Sequence, residues 1–459
     1  MLSWLPADVL CTIAREALLS SACSAPRHVL QAVSSLVRPH ALLLAVLDHL
    51  GVPLTFVEYA LRRRGGPVDL GDVSIDAFVR VLEVTRHTSR EDVECIERLG
   101  YQPMAIPDDQ TLRALVDAYD DDDHSFREQY GPLAYWDTSR ITDMSHLFEG
   151  CSTFNEPLAC WDVSNVRLVN RMFYGATSFN QPLPWDVSNV TDMREMFRGA
   201  ASFNQPLPWD VSKVTHMSEM FRDAAQFDQP LPWDVSKVTD MSAMFRDATS
   251  FDQPLGWNVS SVACTRDMFR GARRFNHPLS WDVSNVTDMS GMFYGATSFN
   301  QPLMWDVSKV TSLCGMFEDA TTFNQPLEWS VSNVTNTSWM FSGAASFDQL
   351  LQWDVANVTN MSWMFSGAAS FNQPLRWDVS RVTHMTGMFS DATLFNQPLE
   401  WDVSNVMYLQ NMFTGAASFN QPLRWKLSRV TSLQHMAHMF DRAESFNQPL
   451  AWDLSGLGG

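Results

Sequence analysis

No run in this sequence stays apolar over the roughly 18 residues that a membrane-spanning helix requires, which excludes a helical membrane protein. Cysteine pairing is missing too. The seven cysteines, at positions 11, 23, 95, 151, 160, 264 and 314, contain no CxxC pair and are odd in number. That argues against a disulfide framework and for reduced thiols in an intracellular compartment. Basic residues are scarce: 32 Lys and Arg stand against 52 Asp and Glu, a net charge of −20. Nucleic acid and anionic membrane are thereby excluded as main partners. The opening "MLSWLPADVLCTIAREALL" lacks the basic leader and cleavage site of a secretory signal, and Asp8 and Glu16 interrupt its apolar run. The expectation is a protein that is not secreted and works in the cytoplasm (the host cell's, if the chain is viral).

Chemistry-bearing patterns are equally sparse. There is no Walker loop, no dinucleotide glycine pattern and no Ser-His-Asp order. His216, His277, His384, His435 and His438 fall at different places and make no ligand set. Asp120 to Asp123 lack the glycine and terminal glutamate of a calcium loop and read as a solvated linker. No catalytic residue, cofactor or metal is expected, and the chain does not read as an enzyme.

What the sequence has instead is repetition. From Trp161 to Trp425, through Trp185, Trp209, Trp233, Trp281, Trp305, Trp377 and Trp401, tryptophans recur at a spacing of 24 residues without a break. Trp136 precedes the series by 25 residues and Trp452 follows it by 27. A fixed period of this length marks a solenoid, in which each coil buries its apolar face only against its neighbours. The repeated aromatics are therefore core, not a base-stacking or cofactor surface.

One coil, "WDVSNVTDMSGMFYGATSFNQPLM" (281–304), shows two periods. Phe299, Gln301, Leu303, Trp305 and Val307 alternate with Asn300, Pro302, Met304 and Asp306 and predict a strand with one buried face; Pro302 limits pairing to Leu303–Val307. Val286, Met289, Met292 and Phe293 are spaced for about two turns of helix or 3₁₀ helix. Ser284 or Asn285 would cap it, with Asp288 completing a capping box and Gly295 ending it. The aspartates after each Trp (Asp162, Asp186, Asp210, Asp234) alternate with Asn258, Ser330 and Lys426, so they read as a corner hydrogen bond and not as a metal ladder. Asn189, Asn285, Asn333 and Asn357 begin sequons that the repeat itself generates, which fits a chain that never meets the secretory pathway.

The phrase "WDVSNVTDMSxMFxGAxSFNQPL" resembles the repeat of the BspA-like, leucine-rich-repeat-related family found in Mycoplasma lipoproteins as a domain of unknown function. The resemblance covers about 136–455, and 112–144 is similar to the helical lead-in that precedes such arrays. It implies a right-handed solenoid that binds through its surface, and it carries no active site. Before residue 105 the repeat is absent and the composition becomes Leu-, Ala-, Val- and Arg-rich in helical spacing. "LPADVLCTIAREAL" (5–18) and "RHVLQAVSSLVRPHALL" (27–43) resemble an F-box, which implies adaptor docking through Leu5, Pro6, Val9, Leu10 and Ile13.

The expected architecture is thus an α/β solenoid of about 13 coils over 136–459, a helical lead-in over 106–135 and an all-α domain over 1–105, F-box-like at 5–43. Functional candidates lie where the core dictates nothing. Arg198, Arg222, Arg246 and Arg270 follow the Met-Phe pair in four consecutive coils, with Glu195 and Glu219 three residues upstream. They form either a solvated face with local ion pairs or a strip gripping an acidic partner. Trp339 and Trp363 precede Met-Phe in adjacent coils and make either a contact hot spot or a surface plug. Three roles follow: a protein-binding scaffold, a ubiquitin-ligase substrate receptor recruited through the F-box-like head, or a surface adhesin, which the missing signal disfavours. The last coil, with Phe446, Leu450 and Trp452, is expected to leave an apolar edge open to self-association.

Overall fold

The computed structural model describes residues 104–119, 126, 130, 133–450 and 452. The F-box-like residues Leu5, Pro6, Val9, Leu10 and Ile13, and the run Asp120–Asp123, lie outside the described residues. The chain divides into two compact units, Met1–Arg140 with Pro157–Asp162, and Ile141–Glu156 with Val163–Gly459.

In the described part of the first unit, helix α1 spans Asp109–Asp117. Asp108 caps it by accepting a 2.7 Å hydrogen bond from the Thr111 backbone N–H, and Leu112, Leu115 and Val116 form its buried face. Strand β1 (Met104–Ala105) pairs in parallel with β2 (Trp136–Asp137). A single 3₁₀ turn, Leu133–Tyr135, leads into β2.

The second unit is the repeat array, and its coils differ from the expected strand-plus-helix. Leu303–Val307 forms no strand, and Val286–Phe293 forms no helix. Parallel pairing runs instead through the segment expected to be helical: Asp288 bridges Cys264 on one side and Ser312 on the other, in a series of single bridges from Asp143 to Tyr408. The reason is a division of backbone donors. The N–H groups of Met289, Gly291, Phe293 and Gly295 donate to Ser312, Cys314, Met316 and Glu318 of the next coil, at 3.3, 2.8, 2.9 and 2.7 Å. Those of Met292, Tyr294 and Ala296 close turns onto carbonyls three residues back. A helix would send every N–H into its own coil and leave nothing to hold the neighbour. The alternation also needs left-handed backbone at Gly291 (φ 65°) and Gly295 (φ 64°), which an α-helix does not admit. The apolar spacing nevertheless marks burial correctly: Val286, Met289, Met292 and Phe293 are fully buried. The capping box is absent. Asp288 accepts instead from the Ser290 backbone N–H at 2.9 Å, and the Asn285 side chain donates to the Ser260 carbonyl one coil back at 2.8 Å.

Aromatic columns fill the interior. Trp305 is 6% exposed, lies parallel to Trp281 and Trp329 at 6.4 Å, and donates its indole N–H to the Leu279 carbonyl at 3.0 Å. Phe293 stacks on Phe299 at 4.0 Å and on Phe317 of the next coil at 5.7 Å. Trp185, Trp209, Trp233, Trp281, Trp377 and Trp401 are buried in the same column. The aspartates after each Trp make the corner bond: Asp282 and Asp306 accept from the backbone N–H of Ser284 and Ser308, and Asn258 does the same for Ser260. These N–H donors hold the Asp282 and Asp306 carboxyls below the usual carboxylate range.

A further column escaped the sequence reading. The Asn300 carboxamide oxygen accepts from the Asn324 backbone N–H at 2.9 Å and from the Gln325 amide at 3.1 Å; Asn300 and Gln301 donate likewise to Asn276. Aspartate serves equally at 228 and 348, accepting from Asp252 and Asn372 at 2.9 Å, because only an acceptor oxygen is used. Asn300→Ala strands two donors and is expected to lower stability by about 1–2 kcal/mol, whereas Asn300→Asp should be nearly neutral. Urea unfolding separates the two; an Asp variant as unstable as the Ala variant would contradict the acceptor role.

Candidate functional site

Two rows flank the buried Met-Phe pair of every coil. The first row, immediately before the pair, holds Glu195, Glu219, Ala243, Asp267, Gly291, Gly315, Trp339, Trp363 and Gly387 in successive coils. All of these have positive φ, from 52° to 65°. A side chain there costs about 1 kcal/mol in backbone strain relative to glycine. Glycine stands at 291, 315 and 387, so the fold does not require a side chain in this row. The second row, immediately after the pair, holds Arg198, Arg222, Arg246, Arg270, Tyr294, Glu318, Ser342, Ser366 and Ser390.

In the N-terminal coils the rows form a charge zipper. Arg198 pairs with Glu195 of its own coil at 2.9 Å and with Glu219 of the next at 2.7 Å. Arg222 pairs with Glu219 at 2.9 Å and lies 3.4 Å from Asp223. Arg246 reaches Asp247 and Asp267 at 3.5 Å, and Arg270 reaches Asp267 at 3.4 Å while lying 4.0 Å over the Tyr294 ring. All four arginines are half-buried and paired. The expected pairing with Glu195 and Glu219 is present on turns, and each arginine strip is interleaved with acid instead of standing as bare positive charge.

Toward the C-terminal coils the rows become aromatic and small. Trp339 and Trp363 stack on each other at 5.1 Å with rings 16° apart, and Trp339 remains 37% exposed. Trp363 in turn covers Gly387, where an added Cβ would overlap its ring. Between the two zones stands Glu318, two coils beyond Arg270 at the same offset from Met-Phe, a residue that no sequence pattern singles out. Burial pushes its carboxyl up from 4.5 to about 7; Asp319 adds to the rise and Arg270 opposes it. A carboxyl raised in this way favours the fold while protonated. Its contribution is full below pH 4.5 and is lost as pH rises through about 7.

Among the described residues no group of His, Cys, Asp and Glu could hold a metal ion, and no helix is long and apolar enough to cross a membrane. Cys264 and Cys314 are free thiols. At the end of the array Phe446 stacks on Phe440 at 4.1 Å and Trp452 on Trp425 at 6.3 Å, while Leu450 is exposed.

Comparison with known proteins adds a family. The family model described as "Mycoplasma protein of unknown function, DUF285" matches in four tandem stretches, 118–208, 207–281, 279–376 and 375–457. No curated protein matches the sequence. Two solved structures show a distant likeness, each 10% identical. One is the TLR13–ssRNA13 complex, covering 78% of this chain and 55% of that one with a TM-score of 0.20. The other is the Drosophila Toll–Spatzle complex, covering 69% and 47% with a TM-score of 0.25. The chain spans about half the length of these solved chains. Scores of that size carry no argument about fold or ligand.

Proposed function

The chain belongs to the DUF285 family of Mycoplasma-type repeat proteins, and from that premise we propose that it is a non-enzymatic scaffold whose solenoid, right-handed and of about 13 coils, binds another protein through the two-row face. One observation carries this reading: Glu195, Glu219, Asp267, Trp339 and Trp363 occupy left-handed positions where other coils of the same array use glycine. Side chains retained against backbone strain are retained for what they contact. The paired arginines supply rigidity to the face, and the stacked tryptophans supply a large amphipathic anchor of the type that dominates interface energies. A ubiquitin-ligase receptor is the second reading. It rests on the F-box-like Leu5, Pro6, Val9, Leu10 and Ile13, with the same face holding the client. Self-association through Phe446, Leu450 and Trp452 would add a second contact of the same chain.

The reading is tested by affinity capture with the intact chain. A Trp339→Ser/Trp363→Ser variant is expected to lose its bound protein by about thirtyfold or more, the scale of a hot spot. A Lys213→Ser/Lys309→Ser variant, altered in a different row where these lysines bond Asn189 and Asn285, should retain it. Equal retention or equal loss by both variants would overturn the assignment of the face.

A further inference from the structure

The first row has a break at Gly315, and the residues around it share a chemistry. Side chains in this row lean onto the following coil: Asp267 covers Gly291, Trp339 stacks on Trp363, and Trp363 covers Gly387. One indole face of Trp339 is therefore taken by Trp363. The opposite face belongs to position 315, where glycine supplies no side chain. Glu318 reaches into that same space, its Oε2 standing 3.1 Å from where a Cβ on Gly315 would be.

A carboxylate offers an indole face no favourable contact by itself, because the ring's π face is electron-rich. Among the described residues, no side-chain hydrogen bond or ion pair engages the Glu318 carboxylate. Arg270, the cation that acts on it, is engaged with Asp267 at 3.4 Å and stacked over Tyr294. Both the ring and the carboxylate would be satisfied by one cation placed between them.

We propose that Gly315, Glu318 and Trp339 form a seat for the guanidinium of an arginine presented by a partner protein. A guanidinium is planar, stacks on aromatic faces and directs its N–H fork at carboxylates. The chain makes the same pairing internally: Arg171 lies 4.3 Å over Tyr174 and bonds Glu149 at 2.9 Å. The net charge of −20, with Asp319 beside Glu318, favours a cationic occupant. The groups acting on Glu318 are Asp319 and Arg270, while the Tyr294 hydroxyl feels Glu318 in turn. Because the seat works as a carboxylate, occupancy strengthens as pH rises through about 7.

The seat deepens the interaction reading given above and rests on it, and its test is independent of any natural partner. The probe is the blocked tripeptide acetyl-Ala-Arg-Ala-amide, titrated into the full chain. Its citrulline counterpart, of the same shape without the charge, is the control. The indole N–H resonance of Trp339, identified by its absence in Trp339→Phe, reports occupancy. The expected result is a saturable shift that is stronger at pH 8 than at pH 6. It should be about tenfold weaker with citrulline and with Glu318→Gln, the scale of a partly desolvated cation–π and ion pair. Gly315→Ala supplies a second variant: Ala243 occupies this row at φ 52°, so alanine is compatible with the fold, and its methyl group would crowd the seat. It too should weaken binding. Equal affinity for arginine and citrulline, no effect of either variant, or no saturable shift would each overturn the seat. If capture through the Trp339–Trp363 face succeeds while the peptide fails, the seat falls and the interaction face stands.

Discussion

Trp305→Ala is expected to open the array locally, at a cost of about 3–5 kcal/mol. Trp305 lies between Trp281 and Trp329 at 6.4 Å each, 6.3 Å from Phe293, and its indole N–H is bonded to the Leu279 carbonyl at 3.0 Å. Alanine leaves that carbonyl without its donor and opens a cavity between two rings that cannot close, because the backbone bonds of adjacent coils hold their spacing. In a solenoid each coil contacts only its neighbours, so the loss spreads over the flanking coils and fades beyond them. Hydrogen exchange read by peptide should show faster exchange over 281–329 and little change around Trp185 and Trp209. Unchanged protection over 281–329, or a uniform loss along the chain, would show that the tryptophan column does not hold the coils together.

Much of this is legible in the amino-acid sequence. The tryptophan period set the register of the coils, and the spacing of Met289, Met292 and Phe293 correctly marked them as buried. The corner role of the aspartates followed from their exchange with Asn258, and the bond that Asp282 accepts from the Ser284 N–H has that form. The backbone conformation was not legible. A short apolar run with helix-like spacing is consistent with any element that buries those side chains, and the deciding partner, such as Ser312 for Met289, lies 23 residues away. The asparagine column was hidden for the same reason. Asn300 reads as a polar residue on the outer side of a strand until Asn324 is stacked against it. At the site, the arginines and the two tryptophans stood out because they break the consensus at variable positions. Their acidic partners in the next coil, such as Glu219 for Arg198, required the stacking to be known. Glu318 was missed because a single glutamate at a variable position carries no pattern. Its significance comes from Gly315 and Trp339, which share the break in the first row only once the chain is coiled.

The central claim, that coils are held to one another by columns repeating every 24 residues, has a direct test in the length of a deletion. Removing 306–329 takes out one whole coil. It brings Asn300 against Asp348, Phe293 against Phe341 and Trp305 against Trp353, so every column closes again with residues of the same type. Removing 306–317 takes out half a coil, leaves Phe293 without Phe317 above it and gives the remaining half no way to complete a turn. The measurement is urea unfolding followed by tryptophan fluorescence, on the intact chain and both deletions. The account predicts that the 24-residue deletion keeps a single cooperative transition, with a slope reduced only in proportion to the surface removed. The 12-residue deletion should lose that cooperativity across the junction. Equal damage from both deletions, or a 24-residue deletion that no longer unfolds cooperatively, would contradict it.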